Sequence, residues 1–87
     1  MKDEDTVDKI TFEAFVVSLA TQALMQMGEM KPPDGMELPI DLSVARQTIE
    51  IVAMLQDKTK GNLSPEEERM LVEILHNLRM SFVRNTA

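Results

Sequence analysis

His76 is the single histidine of the chain and the first residue to consider for catalysis. The sequence contains no cysteine, so a nucleophilic mechanism would need His76 to activate a hydroxyl group. Ser81 follows on the same predicted helix but on a different side of it, where a histidine base would not reach it. His76 also lies between Arg69 and Arg79 on a polar stretch. We interpret it as a solvent-exposed surface residue, and the sequence predicts no catalytic residue.

Acidic residues occur in groups that could bind a metal ion, but each group has a structural interpretation. Three glutamates at 66–68 fall in the first turn of a predicted helix, where negative charge complements the helix dipole. Asp34-Gly35 and the acidic N-terminal residues lack the ligand spacing of a calcium loop. The spacing of Glu50 and Asp57 is typical of a charged outer helix face rather than of a catalytic pair. We therefore predict no metal site and no enzyme.

Two further patterns indicate ligands only weakly. Lys58-Thr59-Lys60-Gly61 has the residue types of a phosphate-binding loop but not their order, and no strand precedes it. Four methionines could bind a soft metal ion, although methionine more often serves as adaptable apolar packing and at surfaces that accept partners. These methionines are Met25, Met27, Met30 and Met36. We predict no cofactor.

The composition limits the classes of partner. The 87-residue chain has a formal net charge of -6, which argues against nucleic acid and anionic membranes as partners, because both are bound through clustered Lys and Arg. No stretch reaches the roughly 20 apolar residues that span a bilayer. The absence of cysteine fits a reducing cytoplasm. A chain this small without disulfides often gains stability by self-association.

The periodicity predicts an all-α fold with three helices and an extended arm between the first and second. We interpret residues 1–10 as an acidic mobile tail and residues 11–87 as a single helical domain. Thr11, Asp41 and Ser64 are the predicted N-caps, and Ser64 with Glu67 has the pattern of a capping box. The predicted helices cover about 12–28, 42–59 and 65–84.

Each helix has apolar residues at helical spacing that predict the core. In the first helix they are Phe12, Phe15, Val16, Leu19, Ala23 and Met27. In the second they are Leu42, Ala45, Ile49 and Val52, widened by Val44, Ile51 and Leu55. In the third they are Leu71, Ile74, Leu75, Leu78 and Phe82. The second set is wide enough to contact two neighbouring helices.

The connection before the second helix contains Pro32-Pro33-Asp34-Gly35, which is typical of a turn. Met36, Leu38 and Ile40 then alternate with other residues, so an extended arm would present them on one side. Such an arm is expected to lie along the helices. Whether it packs on its own chain or on a neighbouring one is left open by the sequence.

The first helix has a second, unexpected surface. No charged residue occurs between Ala14 and Gly28, whereas a solvent-facing helix surface normally carries several. Opposite the predicted core face lie small or uncharged side chains that would let another helix approach closely, namely Ala14, Ser18, Thr21 and Met25. We predict that this surface is an oligomer interface, most simply a symmetric pairing of first helices. The alternative is that the extended arm covers it within one chain.

Three blocks of sequence resemble a known family. They are Phe15–Leu24 with Gly28-Glu29, then Asp41–Glu50, then Lys58–Leu63 with Glu67-Glu68 and Leu78–Met80. Together they look like the Domain of Unknown Function 1844 family of small bacterial proteins. The resemblance implies a bacterial, cytoplasmic protein without an assigned activity, and it transfers no catalytic or binding residues.

The blocks include polar residues that capping and packing explain only in part, and these predict a functional polar surface. Its residues are Arg46, Lys58, Thr59, Asn62 and Arg79. Our first hypothesis is a non-enzymatic homo-oligomer that presents a surface to another protein. The second is a helical bundle that binds a small molecule or cofactor near the Lys58–Ser64 loop, with Arg46 or Arg79 contacting an anion.

Overall fold

The computed structural model describes residues 9–32, 35 and 39–86. Its elements are three α-helices: α1 (Phe12–Met27), α2 (Leu42–Lys58) and α3 (Pro65–Thr86). No strand occurs in this part of the chain, so the prediction of an all-α, three-helix fold is confirmed. None of the three helices is long and apolar enough to cross a membrane.

The helices begin where side chains satisfy free backbone N–H groups. Thr11 accepts a hydrogen bond from the Ala14 N–H at 3.0 Å, and Asp41 accepts one from the Val44 N–H at 3.1 Å. At the third helix, Glu67 N–H donates to Ser64 Oγ at 3.1 Å, and Ser64 N–H donates to Glu67 Oε1 at 2.8 Å. All three predicted N-caps and the capping box are therefore confirmed.

The helices run up, down and up, and each packs against the other two. The Asp41 N–H donates to Gln26 O at 2.9 Å, which places the start of α2 beside the end of α1. Glu29 contacts Asn85, so α1 and α3 end at the same end of the bundle. Each helix contributes three buried apolar residues to the core. They are Val16, Ala23 and Met27; Ala45, Ile49 and Val52; and Leu71, Leu75 and Leu78.

The connection from α1 to α2 begins with a glycine that no other residue replaces easily. Gly28 ends α1 with φ 84°, and a Cβ atom there would lie 2.7 Å from Ile40 Cδ1. The described end of the predicted arm thus packs on the end of α1 of its own chain. Met36 and Leu38 lie outside the described residues, as do residues 1–8 of the predicted tail.

Phe15 is the one member of the predicted core sets of α1 and α3 that the structure exposes substantially, at 43%. It lies a quarter-turn away from Val16, at the edge of the face that packs on the bundle, so its assignment to the core was wrong. On α2, Val44 and Ile51 are also exposed. The wide apolar face of α2 does contact two helices, as expected, but part of it still faces water.

Candidate functional site

The outer side of α1 is a helix surface without charged residues. The four predicted interface residues lie on the side away from the core: Ala14 and Ser18 are exposed, and Thr21 and Met25 are half-buried. Phe15 and Val17, the latter 48% exposed, extend this surface on either side. We define the α1 outer face as Ala14, Phe15, Val17, Ser18, Thr21, Gln22 and Met25.

The Ser18 hydroxyl of the α1 outer face has a hydrogen-bond acceptor within its own helix. Ser18 Oγ donates a hydrogen bond to the backbone oxygen of Phe15 at 2.7 Å, so its hydroxyl proton is used within the helix. Glu13, in the first turn, is the one charged residue of α1. From Ala14 to Met27 the helix therefore offers water no charged side chain, although Gln22 is exposed and polar. An uncharged helix surface is typical of one that packs on another helix.

The five residues of the predicted polar surface fall into two groups at opposite ends of α2. Lys58, Thr59 and Asn62 lie around its C-terminus. Arg46 lies near its start, about 18 Å from Lys58 at about 1.5 Å per residue, and shares a groove with Arg79 of α3. A single surface made of all five residues is therefore not formed within one chain.

The group at the end of α2 has a structural role. Thr59 is the C-cap of α2, and its hydroxyl donates to Leu55 O at 2.6 Å. The Asn62 N–H donates to Thr59 O at 2.9 Å, which closes the turn towards α3. Gly61 in this turn has φ 85°, a conformation that favours glycine. These contacts account for much of the Lys58–Leu63 block without a ligand.

A cavity of about 310 Å³ lies beside this turn, where the ligand-binding hypothesis expected a pocket. Its walls include Leu63 and Leu71, and the charged groups at its edge are Asp57, Lys60 and Glu68. The expected arginines do not line it. Its charged groups are two carboxylates and one ammonium, so an anion would meet more repulsion than attraction there.

The second cavity of interest is the groove between α2 and α3, with a volume of about 440 Å³. Arg46, Glu50 and Arg79 stand along its sides. Its apolar lining consists of Ile49, Ala53, Phe82 and Val83. Arg46 Nε lies 3.5 Å from Glu50 Oε2, one helical turn further along α2.

Two polar contacts between helices were missed at the sequence level. Thr48 is buried, and its hydroxyl donates to Gln26 Oε1 of α1 at 2.9 Å. At the end of the bundle, Asn85 Nδ2 donates to Glu29 Oε2 at 2.6 Å, and Arg84 Nη2 lies 3.5 Å from the same oxygen. The first contact could have been predicted, because Thr48 lies at the helical spacing of the apolar core residues of α2. No local sequence pattern predicted the second contact, between Glu29 and Asn85.

The Asn85 amide is the main reason why the pKa of Glu29 lies below its ordinary value, since its hydrogen bond favours the carboxylate. Partial desolvation opposes this, while the nearby Ser81 hydroxyl and the Arg84 charge lower the pKa further. The Ser81 hydroxyl is buried but makes no hydrogen bond of ordinary geometry. The pKa of Asp41 is also lowered, chiefly by the Val44 N–H that it caps.

The described side chains provide little for metal or acid–base chemistry. Across 9–32, 35 and 39–86, no group of three or more His, Cys, Asp or Glu residues could hold a metal ion. His76 is exposed on α3, and Glu66, Glu67 and Glu68 lie in its first turn.

Comparison with known proteins gives one match. The model of a family described as a domain of unknown function (DUF1844) matches residues 9–84, which confirms the resemblance carried by the three sequence blocks. No curated protein and no solved structure shows significant similarity to the chain.

Proposed function

The chain belongs to the DUF1844 family, whose description assigns no activity, and from its surface we propose that it is a non-enzymatic, homo-oligomeric module for protein interactions. The α1 outer face is the surface through which two copies associate. A bacterial cytoplasm is the proposed location, which the absence of cysteine and the family resemblance support. Fractionation of cells that express a tagged chain tests the location.

The observation that carries the proposal is the uncharged outer side of α1. Phe15 and Val17 are each more than two-fifths exposed, and no Lys, Arg, Asp or Glu lies between them and the end of the helix. Burying apolar surface contributes about 25 cal/mol per Å². A second α1 helix would bury both residues without having to desolvate a charge.

The shape of this face supports a symmetric pair. Ala14, Ser18 and Thr21 are small, so two helix backbones can approach closely along this line of residues. When the same patch meets itself across a two-fold axis, the assembly closes as a dimer.

The non-enzymatic part of the proposal is supported by the roles that the polar residues already have. Thr59 and Asn62 form the turn before α3, Thr48 joins α1 to α2, and Glu29 joins α1 to α3. These contacts give several polar residues of the family blocks a structural role, while Arg46, Lys58 and Arg79 stay exposed.

The test is the molar mass in solution, measured by light scattering after size-exclusion chromatography. We expect the mass of a dimer for the natural chain at micromolar concentration. Val17→Glu and Ser18→Glu place a charge in the interface and should give monomers that keep the helical circular dichroism spectrum. Val72→Glu is a matched control because Val72 is 53% exposed on α3, and it should remain dimeric.

A natural chain that stays monomeric at high micromolar concentration, with Ser18→Glu behaving identically, would contradict the proposal. So would loss of the dimer in Val72→Glu to the same extent as in Val17→Glu. Both results would mean that the α1 outer face is not the contact.

Binding of a small molecule is the second candidate function. It is favoured by the 310 Å³ cavity beside the turn after α2, a size that suits a small ligand. Lys60 and the apolar walls of Leu63 and Leu71 would supply the contacts. A thermal-shift screen of metabolites tests it, because a ligand of the native state raises the melting temperature. If no compound in a broad screen raises it, this candidate is rejected.

A further inference from the structure

The groove between α2 and α3 combines an apolar lining with basic sides, and the contacts described so far leave it open. Phe82 and Ala53 are half-buried in it, and Val83 is 60% exposed at its margin. Ile49 lies at its base and belongs to the core. A valine this exposed, beside three further apolar side chains, forms a continuous apolar strip rather than an isolated surface residue.

The charge of the groove is opposite to that of the whole chain. The chain has a formal net charge of -6, yet two arginines and one glutamate line the groove. Arg46 is paired with Glu50, while Arg79 has no carboxylate partner among the described residues. The groove is therefore locally basic on an acidic protein, and it attracts acidic groups that the rest of the surface repels.

The form of the groove favours a helix over a small molecule. It runs between two antiparallel helices, and its residues on α2, from Arg46 to Ala53, span about two helical turns. Small-molecule sites usually enclose most of the ligand surface, whereas this groove is open to solvent along its side. An amphipathic helix fits such a groove by placing its apolar stripe on the lining and its flanks on the sides.

We propose that the α2–α3 groove is a docking site for an amphipathic helix of a partner protein that carries acidic residues beside its apolar stripe. The Arg79 guanidinium receives a carboxylate on one side, in the bidentate geometry that arginine favours. Arg46 receives a second carboxylate on the other side. The site goes beyond the proposed dimer, because α1 contributes no residue to the groove.

Glu50 should weaken the binding of an acidic helix, whereas the two arginines should strengthen it. Its carboxylate lies 3.5 Å from Arg46 Nε and competes with an incoming carboxylate for the same guanidinium. Replacing Glu50 with glutamine removes that competition and a like charge at the same time. Glu50→Gln should therefore strengthen the binding of an acidic helix, an effect that a purely structural role for Glu50 would not produce.

The experiment measures binding of two labelled peptides to the full chain by fluorescence anisotropy at low salt. Both are amphipathic helices of three to four turns with the same leucine stripe. One has glutamates beside the stripe and the other has lysines. The natural chain should bind the glutamate peptide about tenfold more tightly than the lysine peptide, and added salt should reduce the difference.

Three variants locate the site. Arg46→Glu/Arg79→Glu should weaken the glutamate peptide about tenfold and favour the lysine peptide, and Glu50→Gln should strengthen the glutamate peptide about two- to fivefold. Lys9→Glu/Arg69→Glu makes the same change in net charge at exposed positions outside the groove. This control should leave the affinity for the glutamate peptide within about twofold of that of the natural chain. Any weakening that comes from net charge alone should be the same in both double variants.

Four outcomes would overturn the proposal. The natural chain fails to bind the glutamate peptide at millimolar concentration, or both peptides bind equally well. The control variant weakens binding as much as the groove variant does. Finally, Arg46→Glu/Arg79→Glu converts a dimer into a monomer, which would assign the groove to a second copy of the chain instead of a partner helix.

Discussion

At the scale of the residue, Thr48 is a polar side chain inside an apolar core. It is 3% exposed, and its hydroxyl donates to Gln26 Oε1 at 2.9 Å and lies 3.2 Å from Val44 O. A hydroxyl without a partner in this position would destabilise the fold. The hydrogen bond to Gln26 therefore both satisfies Thr48 and fixes the register of α1 on α2.

Thr48→Val keeps the shape of the side chain and removes this hydrogen bond. We expect the free energy of unfolding to fall by about 1 kcal/mol, because Gln26 Oε1 loses its partner. Urea denaturation measures the change. In Thr48→Val/Gln26→Leu both partners are apolar, so the double variant should lose less than the sum of the two single variants. Strict additivity would show that the two side chains are not coupled.

Glu29 is the residue at which stability should depend on pH. Its pKa is lower in the folded chain than the ordinary value of 4.5, mainly because Asn85 donates a hydrogen bond to the carboxylate. The folded state thus binds the proton less readily than the unfolded state does. The resulting stabilisation is present above pH 4.5 and is lost as the pH falls through the lowered pKa.

Glu29→Gln should therefore make the free energy of unfolding less dependent on pH below 4.5, while Asp41 continues to contribute in both proteins. Urea denaturation at a series of pH values measures this. As a control, Glu73→Gln removes an exposed carboxylate from α3 and should keep the pH dependence of the natural chain. Identical pH profiles for Glu29→Gln and the natural chain would refute the role of the Asn85 contact.

At the scale of the element, the sequence predicted most of what is local. Thr11, Asp41 and Ser64 cap the helices as their residue types indicated, and the Leu71–Phe82 stripe of α3 packs on the bundle. These features depend on contacts within a few residues. The hydrogen bond between Glu29 and Asn85 joins residues 56 positions apart, so it could be recognised only after the helices were placed.

The same limit explains why Phe15 was assigned to the core and why the five polar residues were predicted to form one surface. Phe15 and Val16 are neighbours on an apolar helix, and periodicity alone does not decide where the buried arc of such a helix ends. Arg46 and Arg79 belong to different helices, so their common groove depends on how α2 and α3 pack. Lys58 and Asn62 belong to a separate stretch of the family pattern, Lys58–Leu63, and they lie at the other end of the bundle.

At the end of α1, Gly28 should tolerate alanine less well than Gly61 does in the turn after α2. Gly28 and Gly61 have nearly equal φ angles of 84° and 85°, so alanine at either position costs about 1 kcal/mol of backbone strain. A Cβ atom at Gly28 would also lie 2.7 Å from Ile40 Cδ1, whereas nothing lies within 4 Å at Gly61. Gly28→Ala should therefore destabilise the fold by about 1 kcal/mol more than Gly61→Ala does.

Denaturant unfolding of the two glycine variants measures this difference. Ile40→Ala in the Gly28→Ala background should recover the excess loss but not the loss due to the φ angle. If the two alanine variants are equally stable, Ile40 does not pack closely on the end of α1 in solution.

At the scale of the whole molecule, the three helices leave two surfaces of different character. The α1 outer face is uncharged and made partly of small residues, whereas the α2–α3 groove is apolar with basic sides. In the bundle these surfaces belong to different helices. A dimer formed through α1 would therefore leave both of its grooves accessible, so one assembly could hold two partner helices.

The α1 outer face and the α2–α3 groove should function independently of each other. Val17→Glu, which should produce a monomer, should still bind the glutamate peptide within about twofold of the natural affinity per chain, since distant sites are largely independent. A peptide that joins two partner helices by a flexible linker should bind the dimeric natural chain more tightly than a single helix does, because both grooves can be occupied at once. The monomeric Val17→Glu variant should show no such gain in affinity. An avidity gain that persists in this variant would contradict dimerisation through α1.

Cross-linking at Ser18 tests most directly whether two α1 helices meet through their outer faces. The natural chain has no cysteine, so Ser18→Cys carries a single thiol at the middle of the face, and Ser43→Cys carries one at an exposed position of α2. With a short bismaleimide at micromolar protein, Ser18→Cys should yield mainly covalent dimer and Ser43→Cys mainly monomer. Equal yields from the two variants, or monomer from both, would contradict dimerisation through α1.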